Sequence, residues 1–210
     1  MFCKKVLKKR QKRFIVHIHE KKSNERGSIM IYKEKQMEEQ AVLQTASRMC
    51  AAARTAPKAR GIDDIQTMVL TGEDKDRLAD KMEEMGQRDF GEKAEDWYIR
   101  DARNVRAANA VVLIGAKRAY RGVQKCGFCG FKDCGECRIK NGRCAFQFMD
   151  LGIALSSAAA AAADERVDNR IMFSVGKAAM ELLGNLEDMV WQGIPISVSG
   201  KNVFFDRKKK

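Results

Sequence analysis

The sequence predicts an α+β domain in which a small sheet is covered by helices. Three observations carry that expectation. Long segments repeat their apolar residues at helical spacing, and one short segment is apolar throughout, as a buried strand is. The predicted order runs helix, strand, two helices, strand, a cysteine-rich loop, two helices and a terminal hairpin. At 210 residues the chain has the length of one ordinary domain and can bury a real core.

Tyr32 to Ala56 reads as a helix, with Val42, Ala46, Met49, Cys50 and Ala53 on one face and charges opposite. It stops before Pro57, because the residue preceding proline is pushed out of the α region. Cys50 on that face is expected to be a small core residue. Ile65 to Leu70 is a strand candidate closed by Thr71-Gly72. A helix then begins at Thr71 or Gly72 and runs through Met85. It carries Glu73, Asp74 and Asp76 in its first turn, where the helix dipole favours acid.

A second helical stretch spans Glu92 to Ala108, with Trp97-Tyr98 assigned to packing. Ala110 to Gly115 is continuously apolar and suits a strand covered on both faces. Phe146 to Ala163 predicts a helix apolar nearly all round, and therefore central and buried. Within it, Ser157 followed by six alanines lets another backbone approach closely. Ser174 to Leu183 is helical, with Gly184-Asn185 as the stop. Ile194 to Val198 and Val203 to Phe205 are expected to pair across Ser199 to Asn202.

The net charge of +12 belongs to the ends of the chain. Residues 1–29 hold ten Lys/Arg against two Glu, and residues 207–210 add four cations, while 30–206 hold 26 basic and 26 acidic side chains. The body is neutral and lacks a nucleic-acid reader motif, which argues against nucleic-acid binding. We therefore divide the chain into a basic leader 1–29, one domain 30–206 containing the cysteine-rich loop 117–145, and a basic tail 207–210. The leader is expected to be disordered or not natively translated. Met30 opens the periodic part, and Glu25-Arg26-Gly27 can be encoded by a purine run like a ribosome-binding site. The leader's apolar run is too short for a signal peptide. No run of about 18 apolar residues is evident; the nearest is Leu151 to Ala163. The expectation is a cytoplasmic protein without a membrane partner.

Five of the seven cysteines fall within nineteen residues, spaced Cys126-x2-Cys129-x4-Cys134-x2-Cys137-x6-Cys144. A two-residue gap brings two thiolates to one metal ion or cluster, and Gly127, Gly130 and Gly135 supply turns whose N–H groups can reach sulfur. Lys125, Lys132, Arg138 and Arg143 favour thiolate over thiol. In a reducing compartment such a cluster binds metal or does redox chemistry more often than it forms disulfides. Three chemistries fit. The first is an iron–sulfur cluster, [4Fe–4S], on Cys126, Cys129, Cys134 and Cys137, with Cys144 as an alternative ligand. The second is structural zinc, which would make the chain a non-enzymatic binding protein. The third is a dithiol relay. Hydrolysis finds no support, since both histidines, His17 and His19, lie in the leader and no P-loop is present.

Cys126 to Cys134 resembles the CGxCGxxxC pattern of [4Fe–4S] domains in anaerobic corrinoid and carbon-monoxide enzymes, which place their fourth cysteine further on. Met30 to Arg207 resembles an uncharacterised prokaryotic family of ferredoxin-domain-containing proteins, which implies electron transfer to a redox partner protein. Three further segments are similar to the flavin-dependent nitroreductase fold. These are Arg54 to Arg60 after the first helix, Ile65 to Glu73 in the strand that follows, and Asp150 to Ala154 with the alanine run. The resemblance implies a nitroreductase-like scaffold carrying the cysteine loop as an insertion. It also implies FMN at the interface of a homodimer, its phosphate held by Arg54, Lys58 and Arg60, and thus an FMN- and [4Fe–4S]-dependent oxidoreductase. The chain departs from that family at Ile62-Asp63, where Asn and Gln are expected.

Overall fold

A strand with seven of its eight residues buried needs cover on both faces, and β2 (Ala110–Lys117) receives it. In the computed structural model, which describes residues 31–184 and 188–205, β2 is central to a four-stranded sheet. The other strands are β1 (Ile65–Thr71), β3 (Asp168–Asn169) and β4 (Met189–Ser197), in the order β1-β2-β4-β3 and antiparallel throughout. Side chains alternate across a strand. Ala110, Val112, Ile114 and Ala116 enter one core with α1 (Glu34–Thr55) and α5 (Ala145–Asp164). Val111 and Leu113 enter the other, with α2 (Gly72–Phe90), α3 (Tyr98–Ala107) and α6 (Phe173–Leu182). The α+β class and the double-faced burial of Ala110 to Gly115 are as expected.

Small residues set the layer spacing. Ala46 and Ala53 of α1 share a core with Ala154, Ala158 and Ala162 of α5, so the alanine run does admit a neighbouring helix. On the opposite face, a Cβ on Gly176 of α6 would lie 1.9 Å from the Trp191 carbonyl oxygen of β4. Only glycine permits that contact.

Four expectations need correction. First, α5 is buried on one side only: Phe148, Met149 and Ile153 are exposed by 48%, 45% and 42%. The helix packs on α1 and the sheet with one side and turns the other away from both. By length and composition it is also apolar enough to cross a bilayer, which the run Leu151 to Ala163 did not suggest; here its buried face lines a core. Second, α2 continues to Phe90, whose ring packs on Trp97 and Tyr98, and a 3₁₀ segment precedes the shorter α3. Third, Cys50 is half-buried; it packs at the edge of the first core, and burial pushes its thiol up.

Fourth, no terminal hairpin forms. Val203 to Phe205 lie in a turn, and β4 pairs with β2 and β3 instead. Pro195 explains where the β3 ladder breaks. Met172 and Gly193 exchange two hydrogen bonds, at 2.8 and 3.4 Å, so the next bonded pair in the register would be Arg170 with Pro195. Proline has no N–H to give. Its missing donor faces β3, and the β2–β4 ladder runs on unbroken.

The leader 1–29, the tail 207–210 and Asn185 lie outside the described residues. From Lys33 onward the described chain forms one compact unit.

Gly176→Ala is expected to cost about 2–3 kcal/mol in urea unfolding, the scale of overpacking a core. Gly152→Ala, whose Cβ meets nothing within 4 Å on the exposed side of α5, is expected to gain up to about 1 kcal/mol from helix propensity.

Candidate functional site

The loop leaving β2 is tied down before it reaches its cysteines. Lys117 N–H donates to the Asp64 carbonyl at 2.9 Å, Tyr120 Oη donates to the Gly142 carbonyl at 3.0 Å, and Arg121 turns inward. Arg121 is 2% exposed; it bonds the Asp150 carboxylate of α5 at 2.7 Å and also bonds Asp64. The other Asp150 oxygen accepts the Ala59 N–H at 2.9 Å, and Arg60 donates to the Arg121 carbonyl at 2.7 Å. Burial pulls the guanidinium's pKa down, but the bonds to Asp150 and Asp64 outweigh it and hold the pKa above its ordinary value.

Beyond Arg121 the chain makes the cysteine turns. Gly127 and Gly130 adopt left-handed conformations, with φ of 65° and 80°, directly after Cys126 and Cys129. A side chain at either position is strained. The Gly130 N–H donates to the Gly127 carbonyl at 2.9 Å and so closes a turn; it does not point at sulfur as expected. Gly135 is helical, because the expected loop contains a short helix, α4 (Cys134–Ile139). Asp133 caps it by accepting the Glu136 N–H at 2.8 Å, and Glu136 reaches back to the Lys132 N–H. The Asp-x-x-Glu spacing was the available signal for this helix.

A narrow cleft is lined by Cys126, Cys129, Cys134 and Cys144, with Arg121, Val123, Phe131 and Phe146 among its walls. Cys144 is the N-cap of the twenty-residue α5, where the helix dipole favours negative charge. Cys137 is buried behind the lining and donates to Cys129; a Cβ on Gly142 would stand 2.9 Å from its sulfur. Burial pushes the Cys137 thiol up to about 11, aided by Cys129 and by the negative potential of Cys144 and Cys134. Among the described residues no three Cys, His, Asp or Glu side chains converge as a single-ion site requires. Of the five sequence-predicted cysteines, Cys126, Cys129, Cys134 and Cys144 line the cleft and Cys137 lies behind it.

The cations read from sequence fall elsewhere than on the sulfurs. Lys125 and Lys132 are exposed, and Arg138 lies over the Tyr120 ring at 5.0 Å. The basic residue that lines the cleft is Arg121, which sequence reasoning missed along with Asp64. Asp150 left a trace, being the sole acid of α5 before Asp164. Arg54, Lys58 and Arg60 share one loop but have internal partners. Arg54 pairs with Asp63 at 2.6 Å, Lys58 donates to the Ala56 carbonyl at 2.8 Å, and Arg60 bonds the Arg121 carbonyl.

The profile of a family described as "Uncharacterized protein containing a ferredoxin domain" matches residues 140–207. The match includes Cys144 but starts after the other four clustered cysteines. An uncharacterised protein of Archaeoglobus fulgidus is 39% identical over 189 residues, covering 86% of this chain and 100% of its own. Among solved structures, a nitroreductase with bound FMN from Desulfitobacterium hafniense is similar with a TM-score of 0.51 at 14% identity, over 75% of this chain and 78% of that one. A BluB-like flavoprotein from Clostridium difficile gives a TM-score of 0.52 at 16% identity, over 80% and 85%. At such identity the likeness is one of fold, and the nitroreductase-like scaffold is confirmed.

Asp150→Ala leaves the Arg121 guanidinium buried with only Asp64, and is expected to cost about 3–5 kcal/mol by denaturant titration. The double replacement Arg121→Met with Asp150→Leu is expected to recover part of that loss, since it removes the stranded charge.

Proposed function

Because this chain belongs to the family of uncharacterised proteins containing a ferredoxin domain, we propose that it carries electrons through a [4Fe–4S] cluster held by Cys126, Cys129, Cys134 and Cys144. The observation that supports this reading is the cleft: four thiols from one turn and the starts of two helices line a single space. Bound there, the cluster supplies a one-electron change.

The chain's own residues do the rest. The four thiols give up their protons to bind. Arg121 forms part of the cleft wall and is held there by Asp64 and Asp150, which neutralise its charge. Val123, Phe131 and Phe146 screen the cleft from water, and burial of this kind is one of the levers on a cluster's potential. Cys137, buried behind the lining against Cys129, stays outside the ligand set and is a second lever of the same kind. The reducing cytoplasm is the compartment that keeps such thiols available.

The fold supports a second cofactor. FMN would make the chain an oxidoreductase using both groups. Arg60, whose partner among the described residues is a carbonyl, is the loop cation with no carboxylate paired to it there and so the one best placed for a phosphate. Arg54 and Lys58 share Asp63, at 2.6 and 3.8 Å.

Protein purified without oxygen is expected to be brown and to contain about four iron and about four sulfide per chain. Cys126→Ala and Cys144→Ala are expected to lose most of the iron, and Cys137→Ala to keep it with a shifted potential. A colourless protein with one zinc per chain would falsify the carrier reading. A yellow chromophore freed on denaturation reports the flavin.

A further inference from the structure

The loop that forms the cleft also presents an outer surface for which the carrier reading has no use. Phe128 is 67% exposed and Ile139 86%, although large apolar side chains usually find cover in a fold of this size. Phe128 rests on Phe146, ring centroids 5.9 Å apart, and Phe146 and Val123 line the cleft. The apolar rim is therefore continuous with the mouth of the site. Exposed cations stud the same segment: Lys117, Lys125, Lys132, Arg138 and Lys140. Lys140 is paired with Glu136, whereas Lys125 and Lys132 make no ion pair among the described residues. Residues 117–145 hold eight Lys/Arg against two Asp/Glu, while the rest of 30–206 holds 18 against 24. A body that is neutral in sum is thus polarised, +6 on the cysteine segment and −6 elsewhere.

We propose that this rim is the docking face for a small acidic electron-carrier protein. Carboxylates of the carrier meet Lys125, Lys132 and their neighbours, and its apolar centre meets Phe128. The proposal rests on the carrier reading of the cleft and adds the chemistry of the partner. Complementary charge steers encounter and rejects partners of the wrong sign, with on-rates raised by roughly ten- to a thousandfold. Redox encounters bury little surface, below about 1,200 Å², which one loop can supply. A short-lived complex suits a carrier that must release its partner after each transfer. A second copy of this chain is a poorer occupant, because the exposed cations Lys125 and Lys132 of two such loops set face to face repel.

The test is stopped-flow electron transfer from a dithionite-reduced acidic [2Fe–2S] ferredoxin to the cluster-loaded protein, between about 10 and about 300 mM salt. The expected result is a rate that falls about tenfold or more across that range. Lys125→Glu with Lys132→Glu is expected to lower the low-salt rate about tenfold and flatten the salt dependence, with iron and sulfide content unchanged. Phe128→Ser is expected to weaken binding at every salt concentration. Unaltered rates in the charge-reversed protein overturn the docking face. So does faster exchange with basic cytochrome c than with the ferredoxin, or a dimer by light scattering that the charge reversal dissolves. Metal and sulfide analysis of the same samples reports on the carrier reading separately. If they are absent, calorimetric binding of the ferredoxin decides the docking face: salt-sensitive binding lost on charge reversal upholds it, and no binding overturns it.

Discussion

The buried pairing of Arg121 with Asp64 and Asp150 is the constraint on which the site depends. One guanidinium joins the loop after β2, the entry to β1 and the first turns of α5, three segments distant in sequence. Removing a charge from water costs several kcal/mol, so the arrangement holds only while both carboxylates are in place. The remaining oxygen of Asp150 and the carbonyl of Arg121 bind the 59–60 backbone and side chain, which draws the cation-bearing loop into the same knot. The thiols are gathered because the chain on either side of them is fixed. Cys126 follows Arg121 by five residues, and Cys144 precedes Asp150 by six.

Behind that knot stands a rigid scaffold. β2 ends at the loop that forms the cleft, and Cys144 caps α5, so two elements of the first core also frame the site. Sites carried by packed strands and helices hold their geometry better than sites on free loops. The close contact of α6 with β4 at Gly176 locks the other face of the sheet. The half-exposed α5 leaves Phe148, Met149 and Ile153 on the surface, outside both cores.

Much of the site was legible in the sequence, and the reason is local chemistry. Thiols at two-residue spacing followed by glycine specify turns that present sulfur, and Gly127 and Gly130 do adopt the left-handed conformations such turns need. Which four of the five cysteines line the cleft was not legible. Spacing favours Cys137, three residues from Cys134, but α4 turns Cys137 inward, and the cleft receives Cys144 from the next helix instead. Arg121 was hidden for a similar reason. Among eight basic residues in the loop, nothing in the order of letters marks Arg121 as the one that meets Asp64 and Asp150.

The sequence by itself determined the alternation of helix and strand, the double cover of β2, the gathering of sulfur into one loop and the charge excess of that loop. Each of these follows from periodicity or composition within one segment, where the physics is short in range. The tertiary structure alone decided that β4 pairs with β2 and β3 with Pro195 at the break, that α5 is covered on one side, and that Arg121 reaches Asp64 and Asp150. Those outcomes depend on which surfaces meet, and a partner about thirty or sixty residues away leaves no mark on the residues beside it.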